Sequence, residues 1–463
     1  MLARFHGSRV WPVAGRAAAL LAMTLAVLVA ACSSAKPVTG SEEDCPPTIA
    51  APESTQPAPC PPPAGKVHDV EAIRQSLDRM SAHGLDPGTY PSGDVETSWR
   101  LAATHLRFGA LDPATLTPRL QADASLAAYP GNLDPAYGAE DYRGALDALA
   151  PTTPMYWSLV AELETQRTAL AGLKDAAGIA AAEARIASLR AGLERLRWLS
   201  HDAAPRQIMA NIPTFEVMAF ENGSETSRRA AVFGQLTRQT PEFSDAVEYV
   251  VFNPWWDVPD SIARRDKLAQ FRRDPGAVSR LGYRIVDRSG NAVSPSSIDW
   301  QAVSSSAFPY HIRQAPGPAN ALGQVKFVFP NPDAVYLHDT PEKNLFARQV
   351  RTFSSGCIRV QDPVGLASWV LKDTPGWDDN RIAAAVASGD ETKATLAAPM
   401  PIDIVYLTAF PSADGTVVYA PDIYGRDASL LETLASPMRP PAQAPAPRAK
   451  ATPPGPETCA ETG

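Results

Sequence analysis

The spacing of apolar residues changes at about residue 206, and this change limits the chain to two successive kinds of structure. Before it, apolar residues recur every three or four positions, which is the period of an amphipathic helix. After it, short runs rich in Val, Ile, Phe and Tyr are typical of strands. The sequence therefore predicts an α+β protein, with a mostly helical scaffold domain at 67–205 and a β-rich domain at 206–435.

Individual elements can be predicted within both regions. Helices are expected at Val70–His83, with Gly84 as its C-terminal cap, and at about Met155–Ala176 and Ala181–Leu199. Asn222-Gly223 predicts a two-residue hairpin turn. The expected strands are Gln207–Ile212, Phe215–Phe220, Ala230–Phe233, Glu248–Phe252, Lys326–Phe329 and Val335–Leu337.

A stretch at about 259–324 interrupts the strand pattern. Ser261–Arg273 has a helical pattern, and loops rich in Gly, Ser and Pro follow it. We interpret this stretch as a subdomain inserted over the sheet, in a position suited to a cap or lid.

Both ends of the chain differ from its centre. Residues 1–31 combine early arginines with an apolar run too short to span a bilayer, as in a signal segment, and residues 28–33 resemble a bacterial lipobox. That resemblance implies cleavage before Cys32 and its lipidation, which we favour over the alternative of an ordinary secretory signal cut nearby, because small residues lead directly into a cysteine. Residues 32–66 and 436–463 are Pro-rich and predict a tether and a tail. Either signal implies export to a periplasm, and the lipobox favours an outer-membrane anchor.

The net charge and the positions of the cysteines limit the classes of function that the chain can have. The formal net charge of −8 gives no support to nucleic-acid binding. Of the five cysteines, Cys357 lies inside the predicted folded region, whereas Cys32, Cys45, Cys60 and Cys459 lie in the tether and tail. A Cys45–Cys60 disulfide remains open. No HExxH motif, Cys/His cluster or phosphate-binding glycine loop occurs, so neither a metal nor a cofactor is expected.

The segment from Ser354 to Val360 carries the strongest chemical signal. A thiol that attacks a carbonyl needs a base, and His338 is the histidine nearest to Cys357 in the sequence. Gly356 lets the backbone approach a substrate, and its N–H and that of Cys357 are candidate oxyanion donors. A helix predicted from Val364 would lower the thiol pKa if its N-terminus lay nearby. These features predict a cysteine acyltransferase, with His before Cys, unlike papain-like enzymes.

The run from Arg313 to Val360 resembles the L,D-transpeptidase family with its YkuD-type catalytic domain, in the large branch with a helical scaffold and a capping insertion. Further stretches extend the resemblance to about 190–430. They are Phe252–Trp256, Pro259–Ala263, Asn320–Gly323, Lys326–Asn331, Tyr336–Pro341 and Ile404–Ala409.

The resemblance implies that Cys357 is the nucleophile, His338 its base and Gly356 part of the oxyanion turn. It further implies that Ser354 and Arg359 support the site, although Arg359 fits a buried ion pair equally well. The remaining candidates for substrate binding or support are Ser355, Tyr336, Asp339, Trp255 and Tyr310. For the tryptophan, a hydrophobic seam between cap and sheet is an equal alternative.

This chain departs from the family pattern twice. Ser355 stands where many members have His, and the stretch at 170–184 leaves no room for the peptidoglycan-binding module common in this branch. The implied activity is transfer between peptidoglycan stem peptides to form 3→3 cross-links, without a cofactor. Alternatives are an L,D-carboxypeptidase, an enzyme that attaches or releases a wall protein, and a catalytically silent envelope scaffold.

Overall fold

The computed structural model describes residues 69–90, 93–117, 137, 141–201, 204–412 and 414–435. The predicted signal segment, tether and tail lie outside the described residues, and so do Cys32, Cys45, Cys60 and Cys459. Within the described ranges, no helix combines the length and the apolar character that a membrane crossing requires.

The N-terminal region is helical, as predicted. Its helices are α1 (Val70–Leu77), α2 (Val95–Phe108), α3 (Pro113–Leu116), α4 (Tyr142–Asp147), α5 (Pro154–Gly172) and α6 (Ala176–Arg197). Aspartates cap several of them: the side chains of Asp69, Asp94 and Asp175 accept first-turn N–H groups. Three residues join α5 to α6, as the predicted lack of an inserted module requires.

Two histidines are fully buried in this helical region. His83 lies between the Tyr156 hydroxyl and the Asp147 carboxylate, each 2.9 Å from a ring nitrogen. His105 Nδ1 lies 3.0 Å from the Tyr90 hydroxyl. Burial lowers the pKa of both imidazoles, that of His105 to about 4. Both side chains are therefore neutral at pH 7.

The strands in chain order are β1 (Arg206–Asn211), β2 (Glu216–Glu221), β3 (Ser224–Gly234), β4 (Phe243–Phe252), β5 (Trp256–Asp257), β6 (Tyr283–Asp287), β7 (Ala292–Val293), β8 (Tyr310–Gln314), β9 (Val325–Val328), β10 (Leu337–His338), β11 (Thr352–Ser354), β12 (Ile358–Val360), β13 (Thr392–Val405), β14 (Ala409–Pro411) and β15 (Val417–Tyr419). The predicted hairpin is confirmed, because Asn222 and Gly223 have φ of 49° and 78° between β2 and β3.

The main sheet closes on itself. Its order is β11-β3-β12-β10-β9-β4-β13-β1-β2, and β3 also pairs with β2. The long β3 makes the closure, since residues 224–230 pair with β2 and residues 231–232 pair with β12. An apolar core fills this sheet, and helices α10 (Pro363–Leu371) and α11 (Asp379–Ser388) pack against it.

The insertion forms a subdomain with its own core and sheet. Helical segments α7 (Asp260–Ile262), a π-helical turn (Ala263–Lys267), α8 (Leu268–Arg273) and α9 (Ala277–Arg280) precede a four-stranded sheet of order β5-β8-β6-β7. We call this region the cap. The prediction of loops after residue 273 was wrong, because β6 and β8 pair over five residues. Each of these strands has only five residues, and the Gly, Ser and Pro residues that lie between them hid the strand pattern.

A buried ionic network joins α6 to the catalytic half of the chain. Arg195 pairs with Asp427 of α12 (Arg426–Ala435) and lies 3.7 Å from Glu242. Glu242 is also paired with Arg426 at 2.8 Å. Arg426 in turn donates to the Thr240 carbonyl at 2.9 Å. The helical region and the sheet are thus joined by largely buried charged groups.

Candidate active site

Two short neighbouring strands bring the two sequence motifs together. β10 and β12 pair in parallel, with Leu337 opposite Ile358 and His338 opposite Arg359. The Ile358 N–H donates to the Tyr336 carbonyl at 3.0 Å, so Tyr336 and Cys357 lie side by side just before the paired residues. The histidine and the cysteine, far apart in sequence, therefore occupy adjacent strands of one sheet.

The turn at 354–357, here the cysteine loop, is held from both sides. The Gly356 N–H donates to Ser354 Oγ at 3.1 Å, and the Gly356 carbonyl accepts from Thr240 Oγ1 at 2.8 Å. Gly356 has φ +119°, a conformation that residues with a Cβ rarely adopt. Of the two N–H groups expected to face an oxyanion, one is already bonded within the turn. In the described part of the chain the Cys357 N–H makes no hydrogen bond, whereas that of Gly356 is engaged.

The Cys357 thiol is free and partly exposed. Its sulfur lies 3.7 Å from the Ala334 carbonyl oxygen. Burial raises the pKa of the thiol, while Tyr336 and the positive charges of Lys326 and Arg359 act in the opposite direction. We expected a helix N-terminus to lower the thiol pKa. This effect is absent, because β12 separates Cys357 from α10, and Asp362 caps the first turn of that helix. The resting thiol is therefore protonated at pH 7.

His338 is 5% exposed, and its Nδ1 lies 2.5 Å from the Asp339 carbonyl oxygen. A carbonyl only accepts, so Nδ1 carries the proton and Nε2 keeps its lone pair. Burial, together with Arg359 and Lys326, lowers the pKa of His338 to about 3. Its ring also packs edge-on to Tyr336, with centroids 5.6 Å apart. No hydrogen bond joins this imidazole to Cys357 among the described residues.

Asp339 and Arg359, which were predicted to support the site, have different roles. Asp339 is 3% exposed, accepts from the Gln324 N–H at 2.9 Å and pairs with Lys343, so it stabilises the turn before β9. Arg359 pairs with Glu342, which agrees with the ion-pair interpretation. Its guanidinium also faces His338 across the paired strands, and its buried Nε has no hydrogen-bond partner among the described residues.

Ser355 connects the cysteine loop to the cap. Arg238, in the loop after β3, donates to Ser355 Oγ at 2.6 Å and pairs with Asp266 of the π-helical turn at 2.8 Å. This three-residue bridge, from Ser355 through Arg238 to Asp266, was not anticipated from the sequence. Arg238 lies in a polar loop with no motif around it, so only the folded contacts reveal its position.

The ring contacts of Trp255 and Tyr310 lie within the cap. Tyr310 packs against Trp300 and Phe308 within the cap core, with centroids 6.4 and 5.9 Å apart. Trp255 stacks with Arg313 at 5.0 Å and lines a cap cavity of about 310 Å³ that does not include Cys357. Trp255 therefore belongs to a seam of hydrophobic and cationic side chains rather than to the wall of the cysteine site.

Two lysines that were not predicted lie against the aromatic side chains of Tyr336 and Trp256, and one of them, Lys326, acts on the charge of Cys357. Lys326 Nζ lies 4.0 Å from the Tyr336 ring centroid, and the Trp256 indole lies against the Tyr336 hydroxyl. Lys267 Nζ lies 5.1 Å from the Trp256 ring centroid. Burial lowers the pKa of both ammonium groups. The strand alternation at 325–328 could have placed Lys326 on the opposite face from the core, but not beside Cys357.

In the described ranges, no three His, Cys, Asp or Glu side chains come together in a way that could hold a metal ion. The chemistry available here is that of a thiol, an imidazole with a free Nε2, one open backbone donor and a surrounding set of cations. That combination suits attack on a carbonyl carbon and transfer of an acyl group.

Comparison with protein families agrees with this chemistry. Residues 205–377 match the L,D-transpeptidase catalytic domain (YkuD), and residues 63–163 match a scaffold domain. Residues 205–377 are therefore an L,D-transpeptidase catalytic domain of the YkuD type, with a scaffold domain ahead of it.

Among individual relatives, the chain is similar to a Haemophilus influenzae protein named as a candidate L,D-transpeptidase. The two are 39% identical over 220 residues, which are 48% of this chain and 44% of that protein, so less than half of the relative's length is spanned. Among solved structures it is similar to an L,D-transpeptidase from Mycobacterium smegmatis, at 12% identity and a TM-score of 0.20, covering 44% of this chain and 59% of the other. It is also similar to an LD transpeptidase in complex with imipenem, at 13% identity and a TM-score of 0.21, covering 43% and 59%.

Proposed function

We propose that this protein cross-links peptidoglycan. Cys357 attacks the carbonyl of the third, diamino acid residue of a donor tetrapeptide stem, expels the terminal D-Ala, and passes the acyl group to the side-chain amine of a second stem, forming a 3→3 cross-link. The observation that carries the proposal is the accessible thiol of Cys357 beside a histidine whose Nδ1 is fixed by a backbone carbonyl, within an L,D-transpeptidase domain.

The neutral resting pair defines the proton path. His338 Nε2 takes the thiol proton as the sulfur bonds to the carbonyl carbon, and the Cys357 N–H donates a hydrogen bond to the developing oxyanion. The proton then moves from His338 to the departing amine as the C–N bond breaks, leaving a thioester. The acceptor amine attacks that thioester, loses a proton to His338, and the thiol is restored. Because the thioester conserves the acyl energy, no cofactor is required.

Substrate binding is the step that joins the two groups. Apo active sites often hold their catalytic hydrogen bonds too long, and these tighten when substrate excludes water. Sγ now contacts the Ala334 carbonyl. We infer that a bound stem peptide displaces that contact and turns Sγ towards His338. The cap, joined to the cysteine loop through Arg238, then limits the access of water to the thioester.

The proposal also places the protein in a periplasm, held by a lipid on Cys32 through the 32–66 tether. Such an anchor would raise the local concentration of enzyme at the wall and compensate for a missing peptidoglycan-binding module. Mass spectrometry of protein purified from a Gram-negative host tests this part. A diacylated N-terminal Cys32 is expected, and an unmodified N-terminus from cleavage elsewhere would contradict it.

The central experiment is intact-protein mass spectrometry with a disaccharide-tetrapeptide donor, combined with analysis of the muropeptide products. We expect an acyl adduct on wild type, none on Cys357→Ala, and cross-linked dimers with 3→3 linkage. His338→Gln should lose the adduct, while His311→Gln, an exposed histidine on β8, should retain it. Tripeptide without dimers would indicate a carboxypeptidase. Neither adduct nor product, with a thiol that still reacts with iodoacetamide, would favour a silent scaffold.

A further inference from the structure

Two ammonium groups, Lys326 against Tyr336 and Lys267 against Trp256, differ from the neighbouring arginines. Neither Lys326 nor Lys267 has a carboxylate within ion-pair distance in the part of the chain that the structure describes, and Lys267 has only a long 3.4 Å contact to Gln270. The neighbouring arginines are all paired: Arg238 with Asp266, Arg359 with Glu342, and Arg313 with Asp257.

Both lysines lie partly buried against aromatic rings. Lys326 is over Tyr336 at 4.0 Å, and Lys267 is over Trp256 and Tyr283 at 5.1 Å each. The rings offset part of the lost hydration through cation–π attraction. Burial still lowers the pKa of each lysine, so the charged forms lack a full complement of partners. Desolvated charges without an ion-pair partner are unfavourable in a folded chain unless a ligand completes them.

Lys267, one of the two lysines, belongs to the cap and lies in a segment with an unusual backbone conformation. Lys267 ends the π-helical turn Ala263–Lys267, and such turns are rare and occur often at functional sites. The same turn supplies Asp266, which reaches Arg238 and through it the cysteine loop. Two adjacent residues of the cap thus have different contacts: Asp266 holds the cysteine loop through Arg238, and Lys267 places a positive charge against Trp256.

We propose that Lys326, with Lys267 on the far side of the Trp256–Tyr336 pair, forms a carboxylate-binding subsite beside Cys357 that holds the free C-terminal carboxylate of the donor stem. This inference rests on the proposed function. The carboxylate of the residue that leaves is separated from the scissile nitrogen by one carbon atom. A stem attacked by Cys357 therefore carries its terminal negative charge close to the sulfur, within the electrostatic reach of Lys326.

The subsite sets how many residues may follow the scissile bond. With one residue beyond it, the chain ends in a carboxylate that Lys326 can bind by charge-assisted hydrogen bonds. With two residues beyond the scissile bond, a neutral amide occupies the position of the carboxylate, and the Lys326 ammonium is left without a partner. Discrimination of this kind is strong because the mismatched ligand leaves a buried charge unpaired.

The test measures binding to the full-length Cys357→Ala protein by calorimetry, so that it does not depend on turnover. The probes are disaccharide-tetrapeptide with a free terminal carboxylate and the same compound ending in D-alaninamide. We expect the acid to bind at least about tenfold more tightly than the amide. The ratio should fall to within about twofold with Lys326→Met and be partly kept with Lys326→Arg.

Lys393→Met is the matched control, because Lys393 also lies over a tyrosine ring, that of Tyr249, at 3.8 Å, yet on β13. It should leave the ratio unchanged. Equal affinities for acid and amide in the Cys357→Ala protein would overturn the proposal, even if the lysine variants fail to fold. A ratio that persists in Lys326→Met would overturn it too. If Lys326→Met, introduced into the protein that keeps Cys357, also slows alkylation of that thiol, the lysine serves the thiol instead of a carboxylate subsite.

The two proposals fail separately. An acid-to-amide preference in the Cys357→Ala protein, together with a wild-type enzyme that forms no acyl adduct, would refute cross-linking and leave the subsite standing. Adduct formation by the wild-type enzyme, together with equal binding of acid and amide by the Cys357→Ala protein, would support cross-linking and refute the subsite.

Discussion

Thr240 Oγ1 donates a 2.8 Å hydrogen bond to the Gly356 carbonyl and accepts one of 2.9 Å from the Gly234 N–H. Thr240 is fully buried. One hydroxyl therefore ties the end of β3 to the residue that precedes the nucleophile. The same residue receives the Arg426 guanidinium at its own carbonyl, so the ionic network from α6 ends one contact away from the cysteine loop.

Thr240→Val tests this connection. The change keeps the shape of the side chain but leaves a buried N–H and a buried carbonyl without partners, so unfolding should become easier by about 1–3 kcal/mol. Acylation of Cys357 by a tetrapeptide donor should slow as well, because the loop loses its anchor. Thr240→Ser keeps the hydroxyl and should restore both. Urea unfolding and adduct formation followed by mass provide the readouts, and a valine variant as fast as wild type would show that the loop holds itself.

Gly356→Ala should impair the site through the backbone alone. An added Cβ would meet nothing closer than the Gln239 carbonyl at 3.9 Å, so there is no clash, but φ +119° is strained for alanine by about 1–3 kcal/mol. The loop will relax and move the Cys357 N–H, lowering the acylation rate at least about tenfold. Gly389→Ala is the control, since it has φ +74° and open space at the end of α11. Equal acylation by both variants would contradict the role given to the turn.

Asp266→Asn should loosen the cap from the cysteine loop. The Asp266–Arg238 pair at 2.8 Å is the cap's half of the bridge to Ser355. Without its charge, water should reach the thioester more easily, and the ratio of hydrolysed to transferred product should rise. Asp260→Asn removes a comparable cap carboxylate, which pairs with Arg264 four residues along the same helical segment, and should leave the ratio unchanged. Removal of the whole cap should raise the ratio further.

The outcome is read from the muropeptide products at fixed donor and acceptor concentrations. If Asp266→Asn and Asp260→Asn give the same ratio as wild type, the cap does not control water at this site.

Acid should destabilise the protein through its buried histidines, and His105 offers the clearest case. Its folded pKa of about 4 lies below the ordinary value of 6.5, so the unfolded chain binds the proton first as pH falls. Stability present above pH 6.5 is therefore lost progressively towards pH 4. Between pH 7.5 and 5 this one residue accounts for about 2 kcal/mol. Urea unfolding of wild type and His105→Gln at both pH values checks it: the variant should lose less stability on acidification, and identical losses would refute the assignment.

The sequence could predict those features that depend on neighbouring residues or on residue type alone. Asn222-Gly223 defines a hairpin by itself, and the α5–α6 pair follows from helical periodicity. Cys357 and His338 stand out because their residue types match a reaction. Lys326, Arg238 and Thr240 could not be found in this way, since each acquires its position from strand pairing or from a loop that returns to the cysteine. The thiol pKa was expected to be lowered for a similar reason: the number of residues between Cys357 and α10 does not reveal that a strand fills them.

The short parallel contact between β10 and β12 has a consequence for how this protein can change over generations. His338 and Cys357 are positioned by the pairing of Leu337 with Ile358 rather than by any direct bond between them. A single inserted or deleted residue in either strand would turn one of these side chains to the opposite face. Substitutions can be absorbed there, but changes of length cannot. New specificity is therefore expected to arise by lengthening or trimming the cap, which is joined to the cysteine loop through Arg238 without sharing that register.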